Sequence, residues 1–250
     1  MPQAIFHFHN ELNEFLSNDN KWNNIHVAFN GHETVKHLLE SLGVPHTEVD
    51  IILVNGISVD FAERLQDGDR VDVFPGSAQL ENTSIIHLQP ETIGESRFVA
   101  DGHLGKLVSY LRLLGFDVLY RNNCDDEMLA EISSNQDRIL LTRDRGLLKR
   151  SQVRFGYCVM AKAPQDQVVE VLRRFDISDK AQLFSRCARC NGSLNPVEKM
   201  EIFDRLEPKT KQYYDEFHIC ERCNQIYWKG SHFDHMESQL QRFLRISRLD

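Results

Sequence analysis

Apolar and polar residues alternate from Ala4 to His9 and again from Ile25 to Phe29, as they do along strands with one buried face. A polar turn around Ser17 to Asn20 separates the two runs, so they read as a hairpin. The period then changes. Val35, Leu38, Leu39 and Leu42 recur at i, i+3, i+4 and i+7, which predicts a helix over Thr34 to Leu42 ended by Gly43 and Pro45. Asp50 to Val54 and Arg70 to Phe74 return to strand patterning, set off by the Asn55-Gly56 and Asp67-Gly68 turns. The order strand, strand, helix, strand, strand defines an α+β module over residues 1–80.

A polar stretch, residues 81–96, carries Pro90 and Gly94 and is the predicted linker, with Ser84 to Leu88 as a short strand inside it. Beyond it the pattern alternates between types. Arg97 to Ala100 is a short apolar strand ending at Asp101-Gly102, and Leu104, Leu107, Val108, Leu111 and Leu114 mark one face of a helix closed by Gly115. Asp117 to Tyr120 is a second strand, and Asp125 or Asp126 caps a second helix carrying Met128, Leu129 and Ile132. Arg138 to Thr142 is nearly all apolar, as a strand covered on both faces is. A short helix to Arg150, a strand over Phe155 to Met160 and a helix over Gln165 to Phe175 follow. Strands alternating with helices over 97–180 imply a mostly parallel sheet with flanking helices. Residues 181–250 form a cysteine-bearing module with a closing helix from Ser238 to Leu249.

Charge changes the picture only when divided along the chain. The net charge is -8, and residues 1–80 hold 4 Lys and Arg against 12 Asp and Glu, so all of the excess sits in the first module. Residues 138–174 hold nine Lys and Arg against three acids, a basic segment that suits a polyanion or a solvated helix face. No run approaches the roughly 18 apolar residues of a membrane helix, and the start Met-Pro-Gln-Ala-Ile-Phe-His lacks a secretion signal, so a cytoplasmic protein without membrane contact is expected.

Cys187-Ala-Arg-Cys190 and Cys220-Glu-Arg-Cys223 are paired Cys-x-x-Cys knuckles, the set of four thiolates that Zn²⁺ prefers for a structural site. The long gap between them is explained by an insertion around residues 207–211. His218, His232 and His235 become ligands only if a cysteine is missing. Cys124 and Cys158 read as incidental and core residues, and His7 and His9, on one strand face, as surface or core histidines.

In a parallel α/β sheet the site lies beyond the carboxyl ends of the strands. Asp101 and Asp144 both follow strands, and the Asp125-Asp126-Glu127 cluster opens a helix from the same predicted edge. Each position alone is more often a turn or cap residue; it is the shared edge that favours function. Grouped carboxylates require a hard cation, Mg²⁺ or Mn²⁺, which activates water against a phosphodiester. Lys106, Arg143, Arg145, Lys149 and Arg150 lie where phosphates would be held.

Leu-Val-Asn-Gly together with Leu-Gln-Asp-Gly-Asp-Arg-Val-Asp-Val-Phe-Pro-Gly in the first module resembles β-grasp proteins of the ubiquitin-like and sulfur-carrier group. Pro75-Gly76 runs on into Ser77, so the free Gly-Gly tail of a carrier is missing, and a binding or regulatory role, with a possible protein partner, is expected. Phe-Val-Ala-Asp-Gly-His-Leu-Gly-Lys-Leu, Tyr-Leu-Arg-Leu-Leu-Gly-Phe-Asp-Val and Arg-Ile-Leu-Leu-Thr-Arg-Asp-Arg resemble the Mut-seven C-terminal ribonuclease family, a branch of the PIN-like nucleases joined to a zinc ribbon. The resemblance implies metal-dependent RNA cleavage, with Asp101 and Asp144 as metal-binding acids; Asp126 is taken as the second acid, with Asp125 and Glu127 as alternatives. Tyr227-Trp228-Lys229-Gly230-Ser231-His232 resembles the signature that ends this family, and Trp228, Lys229 and His232 are candidate RNA contacts. The rival expectation is a non-catalytic RNA-binding or adaptor protein whose β-grasp module recruits a partner.

Overall fold

A computed structural model describes residues 1–78, 84–89, 96–230 and 233–249. In the N-terminal module, β1 (Gln3–Phe8), β2 (Ile25–Ala28), α1 (Val35–Ser41), β3 (Val49–Val54), β4 (Ile57–Val59) and β5 (Arg70–Pro75) build a five-stranded sheet of order β2-β1-β5-β3-β4. β1 lies parallel to β5, with Phe6 opposite Val71 and Phe8 opposite Val73, and these side chains are buried with Val35, Leu38 and Leu39 of α1. The Thr34 hydroxyl caps α1 by accepting from the His37 N–H at 3.3 Å. β4 is an addition to the predicted order. Asn55 and Gly56 both adopt positive φ, 51° and 82°, the geometry of a two-residue hairpin turn, and they set Val54 opposite Ile57.

The central elements are β6 (Arg97–Ala100), α2 (Gly105–Leu113), β7 (Asp117–Tyr120), α3 (Asp126–Asn135), β8 (Ile139–Thr142), α4 (Arg145–Leu148), β9 (Gly156–Cys158) and α5 (Pro164–Arg174). They form an α/β arrangement with a parallel sheet flanked by helices: β6 pairs in parallel with β7, and β8 in parallel with β9. All four residues of β8 are buried, as expected for a strand covered on both faces. Of the apolar residues expected in α3, Leu129 is buried, Ile132 is half-buried and Met128 is 40% exposed. Ser84 to Leu88 is not a strand; the Leu88 N–H donates to the Asp50 carbonyl at 2.7 Å.

The C-terminal elements are β10 (Leu194–Val197), α6 (Pro208–Tyr213), β11 (Phe217–Cys220), β12 (Ile226–Trp228) and α7 (Phe233–Ser247). The three strands form an antiparallel sheet of order β10-β11-β12. A 3₁₀ run over Lys199–Arg205 and α6 fill the long gap between the cysteine pairs. Ile202 and Leu206 from this gap pack with Phe217 of β11 and Ile226 of β12 in a small core.

Compactness divides the chain into two units, residues 1–95 with 125–158 and residues 96–124 with 159–250. Within the first, the Cys158 N–H at the end of β9 donates to the Glu48 carboxylate at 2.6 Å, and buried His46 makes a second tie. Its Nδ1 faces Glu40 Oε1 at 2.7 Å and its Nε2 the Val153 carbonyl at 2.9 Å, so both ring nitrogens meet acceptors. Within the second, Phe98 meets Phe116 and Phe175 edge-on at 6.4 and 5.5 Å, and Tyr110 meets Phe243 of α7 at 5.3 Å.

Candidate metal centres

The two cysteine knuckles are built alike. Each is Cys-x-x-Cys-Asn, and in each the asparagine N–H returns to the carbonyl of the first cysteine, Asn191 to Cys187 at 2.9 Å and Asn224 to Cys220 at 3.0 Å. Both asparagines adopt left-handed backbone, φ 71° and 56°, which asparagine tolerates better than most residues. Gly192 completes the first knuckle: a Cβ there would lie 2.9 Å from Cys220 Sγ and from Arg222 Cβ. The four sulfurs lie within 4.8 Å of one another, with Cys187 and Cys223 3.6 Å apart and Cys190 and Cys220 3.4 Å apart. No disulfide joins them. A tetrahedral zinc with Zn–S near 2.3 Å would separate its sulfurs by about 3.8 Å, so the set fits the ion. Among the described residues it is the one group of three or more such ligands gathered this closely.

Proton affinities differ across the set. Burial pushes the Cys187 thiol up, but the Tyr227 hydroxyl 3.1 Å away and the N–H groups of Cys190 and Arg189 outweigh it, and the value falls to about 7. Burial drives Cys190 up to about 12. Zinc requires thiolates, so affinity should rise with pH. Capture should therefore release protons, and fewer of them at high pH than at low pH, because less of the thiol set is protonated there. Calorimetry in buffers of different ionisation enthalpy measures that difference.

The candidate acids occupy element ends. Asp101 follows β6 and precedes the 3₁₀ turn Gly102–Leu104, and its carbonyl accepts from the Leu104 N–H at 3.0 Å. Asp144 follows β8, is exposed and caps α4, its Oδ1 accepting from the Gly146 N–H at 2.7 Å. At the start of α3, Asp125 is the cap, its Oδ1 accepting from the Met128 N–H at 2.8 Å, while Asp126 and Glu127 lie exposed in the first turn. Capping thus occupies one carboxylate oxygen of Asp125 and one of Asp144.

The basic candidates separate into two groups. Lys106, Arg143 and Arg150 are exposed. Arg145 and Lys149 are half-buried and engaged by the N-terminal module. Arg145 donates to the carbonyls of Phe15 at 2.9 Å and Glu14 at 3.0 Å and lies over the Phe15 ring, while the Lys149 ammonium donates to the Glu40 carbonyl. Arg145→Ala is expected to cost about 2 kcal/mol of stability through these charged hydrogen bonds, read as a lower urea midpoint. Trp228 is 39% exposed beside Phe217, and exposed Lys229 pairs with Glu216 at 3.2 Å. His232 lies outside the described residues.

Sequence reasoning missed Asn191, Asn224, Tyr227 as a thiolate partner, and Arg112. The repeated Cys-x-x-Cys-Asn was a readable signal for the asparagines. Arg112, 4% exposed, stands within an otherwise apolar helix stretch, where no periodic signal marks it. Burial lowers its pKa, against the charges of Cys190, Cys187 and Asp117, which raise it.

Fold and site together define an α/β protein with a parallel sheet, a ubiquitin-like module before it and a four-cysteine ribbon after it. The Mut7-C RNAse domain family matches residues 96–240 and the Mut7-C ubiquitin family matches residues 1–81. The chain belongs to the Mut7-C RNAse domain family, with the corresponding ubiquitin domain at its N-terminus. Searches of curated proteins and of solved structures gave no significant match. No helix among the described residues is long and apolar enough to cross a membrane.

Proposed function

We propose that this chain is a metal-dependent ribonuclease that hydrolyses RNA phosphodiester bonds within the strand. The observation that carries this reading is membership of an RNase-domain family over residues 96–240. Asp101, Asp126 and Asp144 are proposed to hold Mg²⁺ or Mn²⁺. A bound divalent cation supplies Lewis acidity and lowers the pKa of water. The carboxylates fix its position, and Lys106 and Arg143 hold the phosphate oxygens as charge develops on them. Water adds its oxygen to phosphorus, the bond to the leaving ribose oxygen breaks, and that oxygen takes a proton. Cys187, Cys190, Cys220 and Cys223 would hold a zinc with four protein ligands and leave no position for a water, so its role would be structural. Trp228, Lys229, His232 and Arg150 are the proposed strand contacts, and six cysteines suit a reducing, cytoplasmic setting.

The test is cleavage of end-labelled single-stranded and structured RNA with Mn²⁺ or with chelator. Internal cuts that disappear with chelator are expected. The adaptor alternative predicts RNA binding with a steep salt dependence and no divalent-dependent cutting, and that result would displace the nuclease reading.

A second reading concerns the N-terminal module, and the engagement of Arg145 and Lys149 by the carbonyls of Glu14, Phe15 and Glu40 supports it. In this reading the acidic module covers basic groups that would otherwise meet RNA. Deleting residues 1–80 is then expected to raise RNA affinity, and unchanged affinity in a folded product would leave the module as a platform for a protein partner.

A further inference from the structure

Arg112 on α2 is a buried cation that takes no part in the proposed reaction and ligates nothing. Its guanidinium donates through Nε and Nη2 to the Val118 carbonyl, at 3.0 and 2.8 Å. Through Nη1 it donates to the carbonyls of Ala188 at 3.1 Å and Arg189 at 3.0 Å, the two residues between Cys187 and Cys190. The first knuckle is tied to the same corner from its other side. The Val118 N–H donates to Asn191 Oδ1 at 3.1 Å, and Asn191 Nδ2 donates to Asp117 Oδ1 at 2.7 Å. Arg186 adds a bond from Nε to the Gly115 carbonyl at 3.1 Å.

The charges explain why an arginine stands there. All four hydrogen bonds of Arg112 end on neutral carbonyls, and the anions that face this buried cation are the Asp117 carboxylate and the thiolates of Cys190 and Cys187. Four thiolates around one Zn²⁺ carry a net charge of -2, and they lie against the knuckle that Arg112 grips. Neutral thiols would offer no such charge. We propose that Arg112 is the positioning and charge-balancing residue of the zinc site, holding the first knuckle on the α2–β7 corner and favouring the metal-loaded thiolate set. Coupling is reciprocal, so zinc in turn stabilises that corner of the nuclease region.

The proposal rests on the reading of the four cysteines as zinc ligands and is independent of the RNase reaction. The full chain is compared as wild type, Arg112→Met and Arg112→Lys. Metal affinity is measured with Co²⁺, whose tetrathiolate absorption reports the ligand set, followed by Zn²⁺ displacement; melting temperature is measured with and without zinc. Arg112→Met should weaken metal affinity about tenfold or more, as losses around a ligand shell do, and should shrink the rise in melting temperature that zinc produces. Arg112→Lys should recover part of the affinity, because it keeps the charge but not the fork. A merely structural arginine would lower both melting temperatures alike and leave metal affinity unchanged, and that outcome overturns the proposal. If Arg112→Met does not fold, Arg112→Lys decides, since affinity equal to wild type overturns it. A wild-type chain that binds neither metal would overturn the zinc reading itself.

Discussion

Replacing Asp101 with asparagine is expected to slow RNA cleavage about 100- to 1,000-fold, the scale on which losing one preorganised electrostatic group acts. The amide has the shape of the carboxylate but lacks its charge, so the cation loses an anionic ligand while β6 and the turn after it lose little. Asp144→Asn should slow cleavage similarly and is structurally the cleaner test. Asparagine caps helices as well as aspartate, so the bond from the Gly146 N–H should persist and the melting temperature should hardly move. The double variant should be little worse than either single one, because ligands of one ion act as a unit. Asp125→Asn, Asp126→Asn and Glu127→Gln separate the candidates for the middle acid, and only Asp126→Asn is expected to match the Asp101 variant.

Removing zinc should have the largest effect on stability. Structural zinc contributes about 10–16 kcal/mol in small zinc-dependent folds. The ribbon has little to set against that loss: a three-stranded sheet and a core of Ile202, Leu206, Phe217 and Ile226. Cys220→Ser, or a strong chelator, is therefore expected to abolish amide-exchange protection in β10, β11 and β12. The β-grasp sheet should keep its protection, because Phe6, Phe8, Val71 and Val73 are buried in a core of its own. Protection retained across the ribbon without metal would refute the structural role.

Much of this was legible in the chain. Arg97–Ala100 and Asp117–Tyr120 matched the observed strands to the residue, because short apolar runs bounded by Gly and Asp leave few alternatives. The four cysteines could be read from spacing alone. Other features were hidden for physical reasons. β4 has three residues, too few to show a period, and only its Asn-Gly turn announced it. The helix at 208–213 is polar, so residues 207–211 read only as an insertion, and the 3₁₀ run at 199–205, although it holds Met200, Ile202 and Phe203, is too short to show a period. The basic segment 138–174 suggested phosphate contacts throughout, yet Arg145 and Lys149 meet backbone carbonyls far away in sequence, and pairings of that range leave no local trace. Arg112 was hidden likewise, its partners lying 6 to 77 residues away.

The claim that the three acids share a cation is tested most directly by Mn²⁺ itself. A structure of the Mn²⁺-soaked protein should place Asp101, Asp126 and Asp144 oxygens about 2.2 Å from one ion or a close pair, in the range of hard-cation contacts. An Asp101→Asn, Asp144→Asn variant should lose that Mn²⁺ binding. Mn²⁺ held elsewhere, or binding unchanged by the double substitution, would contradict the account.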